Sequence, residues 1–119
     1  MTIEDLAGTF NIIGSNQDSS EQTYTGTLTL TLDVNKRIIA KWLINNEQEQ
    51  IGTGFFKNNI LVINFSYQSV NNVTYKGVVV YRCISNTILE GFWSEKHGDP
   101  LYLGSERCFK IIEQKELLN

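Results

Sequence analysis

Apolar and polar residues alternate along most of this chain. From Tyr24 to Asp33 the pattern is strict: Tyr24, Gly26, Leu28, Leu30 and Leu32 share one face, and Thr25, Thr27, Thr29 and Thr31 share the other. A period of two is the signature of a half-buried β-strand. The same period predicts strands from Gly8 to Gly14, Arg37 to Asn45, Gln50 to Phe56, Ile60 to Gln68, Val73 to Ile84, around Leu89 to Trp93, and from Leu101 to Ile111. Within them Ile38, Ala40, Trp42 and Ile44 point inward, as do Tyr75, Gly77, Val79, Tyr81 and Cys83, and Leu89, Gly91 and Trp93. Short polar segments separate the strands. Val34-Asn35-Lys36, Lys57-Asn58-Asn59, Asn71-Asn72 and Ser85-Asn86-Thr87 read as turns, because Asn tolerates the left-handed backbone that hairpins need. Ser15 to Gln22, Asn46 to Glu49 and His97-Gly98-Asp99-Pro100 read as polar loops.

A second pattern lies on the first: a large apolar residue, any residue, then glycine. It occurs at Leu6-Ala7-Gly8, Tyr24-Thr25-Gly26, Tyr75-Lys76-Gly77, Leu89-Glu90-Gly91 and Tyr102-Leu103-Gly104, with Gly52-Thr53-Gly54 a looser copy. Glycine inside a strand marks a bend, a bulge or a close approach. Repeated on strand after strand, it is the bend pattern of a closed barrel. Short connections exclude parallel crossovers. The predicted fold is therefore all-β: an eight-stranded antiparallel up-and-down β-barrel, whose closure removes exposed edges. A β-sandwich competes, but it needs long Greek-key connections that this chain lacks. The 119 residues suit one domain. Residues 1–7 form an N-terminal plug segment, with Thr2 as cap and Asp5 near the third position, and residues 112–119 form a tail.

Gly8-Thr9-Phe10 resembles the Gly-x-Trp opening of the calycin superfamily, which includes lipocalins, fatty-acid-binding proteins and avidins. Asn11 and Gly14-Ser15 are similar to the residues that follow that opening in avidins. Taken together the chain resembles bacterial calycin-like barrels. The resemblance implies an eight-stranded barrel, and a basic residue of the last strand, Arg107 or Lys110, packed over the first-strand aromatic. It implies no biotin-binding residue.

Composition narrows the function. The net charge is -3 and the ten basic residues are scattered, so no basic stripe exists for nucleic acid. No apolar run approaches the ~20 residues of a membrane helix. The opening Met1-Thr2-Ile3-Glu4-Asp5 has no apolar signal core, which makes the cytoplasm the expected location. Cys83 and Cys108 lie in no ligand-like cluster, and the single histidine, His97, sits in a polar loop with Asp99. No metal and no cofactor is expected. With strand seven between them, the two cysteines are too far apart for a disulfide. No serine elbow and no Cys–His pair supports nucleophilic catalysis.

The inward glycines remove side-chain volume from the barrel interior, where a small ligand can sit. Tyr24, Tyr75 and Tyr102 precede glycines by two residues, and Phe10, Phe56 and Trp93 follow them by two. With Trp42 and Tyr81 nearby, they are expected to frame an aromatic-walled space, or to fill the glycine gaps and leave the interior solid. Glu106 has two registers open to it. It faces inward if it shares parity with Gly104 and Cys108, and outward if Leu101, Leu103, Phe109 and Ile111 set the buried face; a bulge near Ser105 reconciles the two. The candidate ligand-binding residues are therefore Tyr24, Trp42, Tyr75, Tyr81, Trp93 and Glu106. A non-enzymatic barrel holding a small hydrophobic or aromatic molecule is the leading function. A filled structural or interaction barrel is the alternative, and an isomerase or cyclase of a hydrophobic substrate a third. Ile51, Phe55, Val78, Val80 and Phe92 point outward and predict a homo-oligomer, unless residues 112–118 fold back over them.

Overall fold

The computed structural model describes residues 1–20 and 22–112. A 3₁₀ turn, Ile3–Leu6, precedes β1 (Gly8–Ser15), β2 (Thr23–Leu32), β3 (Ile38–Ile44), β4 (Gln48–Lys57), β5 (Ile60–Gln68), β6 (Thr74–Cys83), β7 (Ile88–Glu95) and β8 (Gly104–Lys110). Each strand pairs antiparallel with its sequence neighbours, and β8 pairs back onto β1, closing the barrel. The expected tail and its fold-back over the outer face fall on residues outside those described, Ile112 excepted.

Turn chemistry explains the tight hairpins. Asn58 and Asn59 have φ of 52° and 63°, and Asn45 and Asn46 have 53° and 60°. Paired positive φ values match the right-handed twist of the flanking strands, and Asn reaches them at little cost. The Asn45-Asn46 turn lets β4 begin at Gln48, so part of the expected polar loop becomes strand. β8 is shorter than expected. Leu101, Tyr102 and Leu103 belong to the loop after β7 and are exposed. Asp99 shapes that loop, since its carboxylate accepts the Leu101 N–H at 3.0 Å.

The two ends of the barrel differ. At the N-terminal end the 3₁₀ turn is tied by the Thr2 N–H donating to the Asp5 carboxylate at 2.8 Å. It drives Leu6, 1% exposed, into a core with Phe10, Leu28, Leu30, Ile38 and Leu61. Burying one such leucine contributes about 2 kcal/mol. Gly8 follows at φ 145°, a conformation that suits glycine. Lys110 crosses over it, donating to the Asp5 carbonyl at 2.9 Å and placing its Nζ 5.4 Å from the Phe10 ring centroid. Arg107 instead pairs on the surface with Glu90 at 3.2 Å.

Cys83 and Cys108 are both free and buried. Leu89 on β7 pairs with each of them, as the expected strand order requires.

Six of the nine glycines fall into two groups. Gly26, Gly52 and Gly91 sit against the backbone of a neighbouring strand, so that a side chain there would overlap the carbonyls of Leu43, Asn64 and Val80 respectively. These are positions of close strand approach. Gly14, Gly77 and Gly104 instead lie beneath the rings of Tyr24, Phe65 and Trp93. Each of those aromatics is the direct cross-strand partner of the glycine it covers. The rings thus fill gaps on neighbouring strands, rather than two residues away on their own.

Candidate functional site

The inward residues of the other end leave a cavity of about 300 Å³. It opens beside the β1–β2 and β3–β4 connections. Tyr24, Trp42, Phe65, Tyr67 and Trp93 supply aromatic wall, Ile44 and Val79 aliphatic wall. Asn16, Gln22, Asn45, Gln48, Gln50 and Glu95 surround the mouth, and Glu106 is exposed to the cavity from its floor.

Glu106 faces inward and is 5% exposed. The pairing of β8 with β1 runs without interruption from Lys110 to Ser105, so no bulge is needed. The competing register fails because Leu101 and Leu103 are not in the strand at all. Both cross-strand partners of Glu106 are glycines, Gly14 on β1 and Gly91 on β7. The space over Gly14 is taken by the Tyr24 ring, whose hydroxyl donates to Glu106 Oε2 at 2.7 Å. Tyr81, fully buried beneath, donates to Oε1 at 2.6 Å, and the Trp42 indole donates to Oε1 at 3.2 Å. The Cys108 thiol adds a weak donor at 3.9 Å. Burial raises the Glu106 pKa, and the four donors oppose that shift without cancelling it. Burial, then the adjacent Glu106 charge, holds the Tyr24 and Tyr81 phenols well above their usual range, so both remain protonated donors. Burial also pushes the Cys83 thiol up to about 11.

The wall is a chain of edge-to-face rings. Tyr24 meets Trp93 at 6.4 Å between centroids, Trp93 meets Phe65 at 6.4 Å, and Phe65 meets Trp42 at 5.9 Å. Such pairs interlock positive edges with negative faces and stiffen the wall. At the mouth the Tyr67 hydroxyl donates to Glu95, which also helps to raise the Tyr67 pKa beyond the effect of burial. The Trp93 Nε1–H is buried with no hydrogen-bond partner among the described residues.

Of the residues expected from sequence, Tyr24, Trp42, Trp93 and Glu106 line one cavity. Tyr81 contributes from below, as a donor to Glu106 rather than as wall. Tyr75 does not reach the interior. It has the inward parity, but it lies at the end of β6, 39% exposed and stacked on Tyr67 at 5.3 Å. Phe10 belongs to the core at the closed end, and Tyr102 lies exposed in the β7–β8 loop. Sequence reasoning missed Phe65, Tyr67, Glu95 and the mouth amides. It also missed Gln17. That side chain donates to Ser94 Oγ at 3.0 Å and to the Asp99 and Tyr102 carbonyls at 3.1 and 3.0 Å, and it accepts the Glu95 N–H at 2.9 Å. It fastens the β1–β2 loop to the β7–β8 connection beside the mouth. The inward parity of Phe65 and Tyr67 on β5 was the available signal for two of these.

No protein-family model matches this chain. No curated protein matches it either. Solved structures do. The chain is similar to a redesigned β-barrel at 15% identity, with a TM-score of 0.74 over 92% of this chain and 95% of that one. It is also similar to mFAP1, a redesigned β-barrel bound to DFHBI, at 18% identity, TM-score 0.67, over 92% of this chain and 97% of that one. A fluorescence-activating β-barrel designed de novo matches at 14% identity and TM-score 0.67, over 93% and 100% of the two chains. At such identities the likeness establishes the fold: an eight-stranded antiparallel barrel.

Proposed function

We propose that this protein is a non-enzymatic barrel that binds a small aromatic molecule in the open end of its interior. The observation that carries this is the cavity itself, about 300 Å³, with an aromatic wall and one buried carboxylate on its floor. Its volume is at the lower end of the usual range for ligand sites, and apolar walls with a few converging polar groups are their usual chemistry. A similar barrel, mFAP1, was solved with DFHBI bound, which supports the reading by analogy of architecture. A ligand of about 12 non-hydrogen atoms at roughly 0.5 kcal/mol each would bind with a Kd of tens of micromolar. Tryptophan fluorescence against a panel of aromatic compounds tests this. Quenching that saturates, and that weakens in Trp93→Phe, is expected. A flat response across the panel at millimolar concentration would refute the reading.

We propose a calycin-like barrel; Lys110, the basic last-strand residue over the Phe10 ring, supports that reading. A second reading, self-association, has its own support. Phe55, Val62, Val80 and Phe92 are successive cross-strand partners on the outer surface of β4 to β7. Phe55 is 62% exposed and Phe92 48%. Together with Ile60 and Val78 they make a contiguous apolar patch of the kind that usually marks an interface. We infer a symmetric homo-oligomer through this face. Light scattering at micromolar concentration should give a multiple of the chain mass, and Phe55→Glu should reduce it to the monomer. A monomeric wild type, or an oligomer indifferent to Phe55→Glu, would count against this interface.

A further inference from the structure

We propose that the cavity selects a small organic cation, an arylalkylamine in its protonated form, whose N–H meets the Glu106 carboxylate. This rests on the small-molecule reading above and names the chemical class of the ligand. Three observations point to it. The first is charge. Among the described residues, those lining the cavity include two carboxylates, Glu106 and Glu95, and no Lys, Arg or His. Among the described residues the donors to Glu106 are all neutral: Tyr24, Tyr81, Trp42 and Cys108. Hydrogen bonds solvate a buried carboxylate, but they leave its charge uncompensated. A cation entering the cavity supplies the missing charge, whereas a neutral molecule does not and an anion is repelled.

The second is geometry. Oε1 takes three of the four donors, while Oε2 takes only Tyr24. Each carboxylate oxygen carries two lone pairs, which at Oε1 are taken by Tyr81 and Trp42 with the thiol a weak third contact, so Oε2, with one donor, retains acceptor capacity. The third is the wall. Ring faces attract cations, and Trp does so most strongly. Trp42, Trp93, Phe65 and Tyr24 surround the space above Glu106. The second carboxylate, Glu95, lies nearer the mouth, where field lines focus in a low-dielectric cleft and draw positive charge inward.

Three probes of nearly equal size separate the alternatives: 2-phenylethylammonium, 2-phenylethanol and phenylacetate, titrated calorimetrically into the full chain at pH 7.5. The ammonium should bind at least tenfold more tightly than the alcohol, with phenylacetate weakest. Glu106→Gln should reduce the ammonium-to-alcohol ratio to about one. Should that variant fail to fold, the wild-type series still decides, joined by the indole N–H resonance of Trp42, which should move with the ammonium more than with the alcohol. Equal binding of ammonium and alcohol would overturn the cation inference and leave the small-molecule reading standing. A tenfold preference that persists in folded Glu106→Gln would remove Glu106 from the role. Silence from all three probes on a folded barrel would overturn both readings.

Discussion

Replacing Gly91 with valine is expected to cost the barrel at least about 3 kcal/mol, at or beyond the upper end of ordinary overpacking. Even a single methyl group here would overlap the Val80 carbonyl and come within 2.8 Å of the Tyr81 Cα. Both belong to the backbone of β6, so no side chain can rotate away. Relief requires opening the β6–β7 pairing where Gly91 lies opposite Tyr81. Gly91 is also the partner of Glu106 on β8, so the same movement disturbs the cavity floor. Gly54→Ala is the control. Its added carbon would meet only side-chain ends, of Ile38, Ile63 and Leu61, each at 3.2 Å, which can yield by a few tenths of an ångström. Urea unfolding should show a large fall in midpoint for Gly91→Val and a small change for Gly54→Ala. Similar midpoints for the two variants would mean that β6 and β7 do not approach so closely.

The second large effect is on the pH dependence of stability. Burial raises the folded-state pKa of Glu106 above its ordinary value of 4.5. Between the unfolded and folded values the folded chain therefore holds more protons than the unfolded one. Stability must fall across that window as pH rises, with a slope of at most about 1.4 kcal/mol per pH unit, and level off above the folded value. Glu106→Gln removes this dependence. The exposed carboxylates Glu4, Asp5 and Asp18 have lowered pKa values, held down by hydrogen bonds chiefly from Lys36, Thr2 and Ser20 respectively. Their contribution has the opposite sign: it is present above the unfolded value and lost as pH falls. It is common to both proteins and cancels in the difference. Wild type should therefore lose stability relative to Glu106→Gln as pH rises from 4.5, until the difference becomes constant. Parallel stability curves across that range would show that Glu106 is not desolvated in the folded chain.

Strand identity and facing were legible in the sequence, because both depend on a period of two that each strand carries by itself. Leu28, Ala40, Val79 and Leu89 are inward as the alternation requires. Height along the barrel was not legible. It depends on the stagger between strands, which no single strand encodes. Tyr75 has the parity of Tyr81 and still ends outside, while Phe65 and Tyr67, one strand away, line the cavity. The orientation of Glu106 failed to resolve for a related reason. The pattern alone could not tell that Leu101 and Leu103 belong to a loop, and those two residues held up the opposite register. Gln17 was hidden by its setting: it sits in a loop of no periodic pattern, and its partners lie 77 to 85 positions away.

The seam between the first and last strands has a kinetic consequence. Hairpins between successive strands close short loops, but the β1–β8 pairing joins Gly14 to Glu106 across most of the chain. Closing so long a loop is entropically the slowest contact to gain. Tyr81 can meet Glu106 across Gly91 within the β6–β7–β8 hairpins, but Tyr24 and Trp42 reach it only once that step is complete. The ligand site is therefore assembled last and lost first. A bound molecule would hold the finished ring shut without helping the open sheet to form, so it should lengthen the lifetime of the native state and leave the refolding rate unchanged.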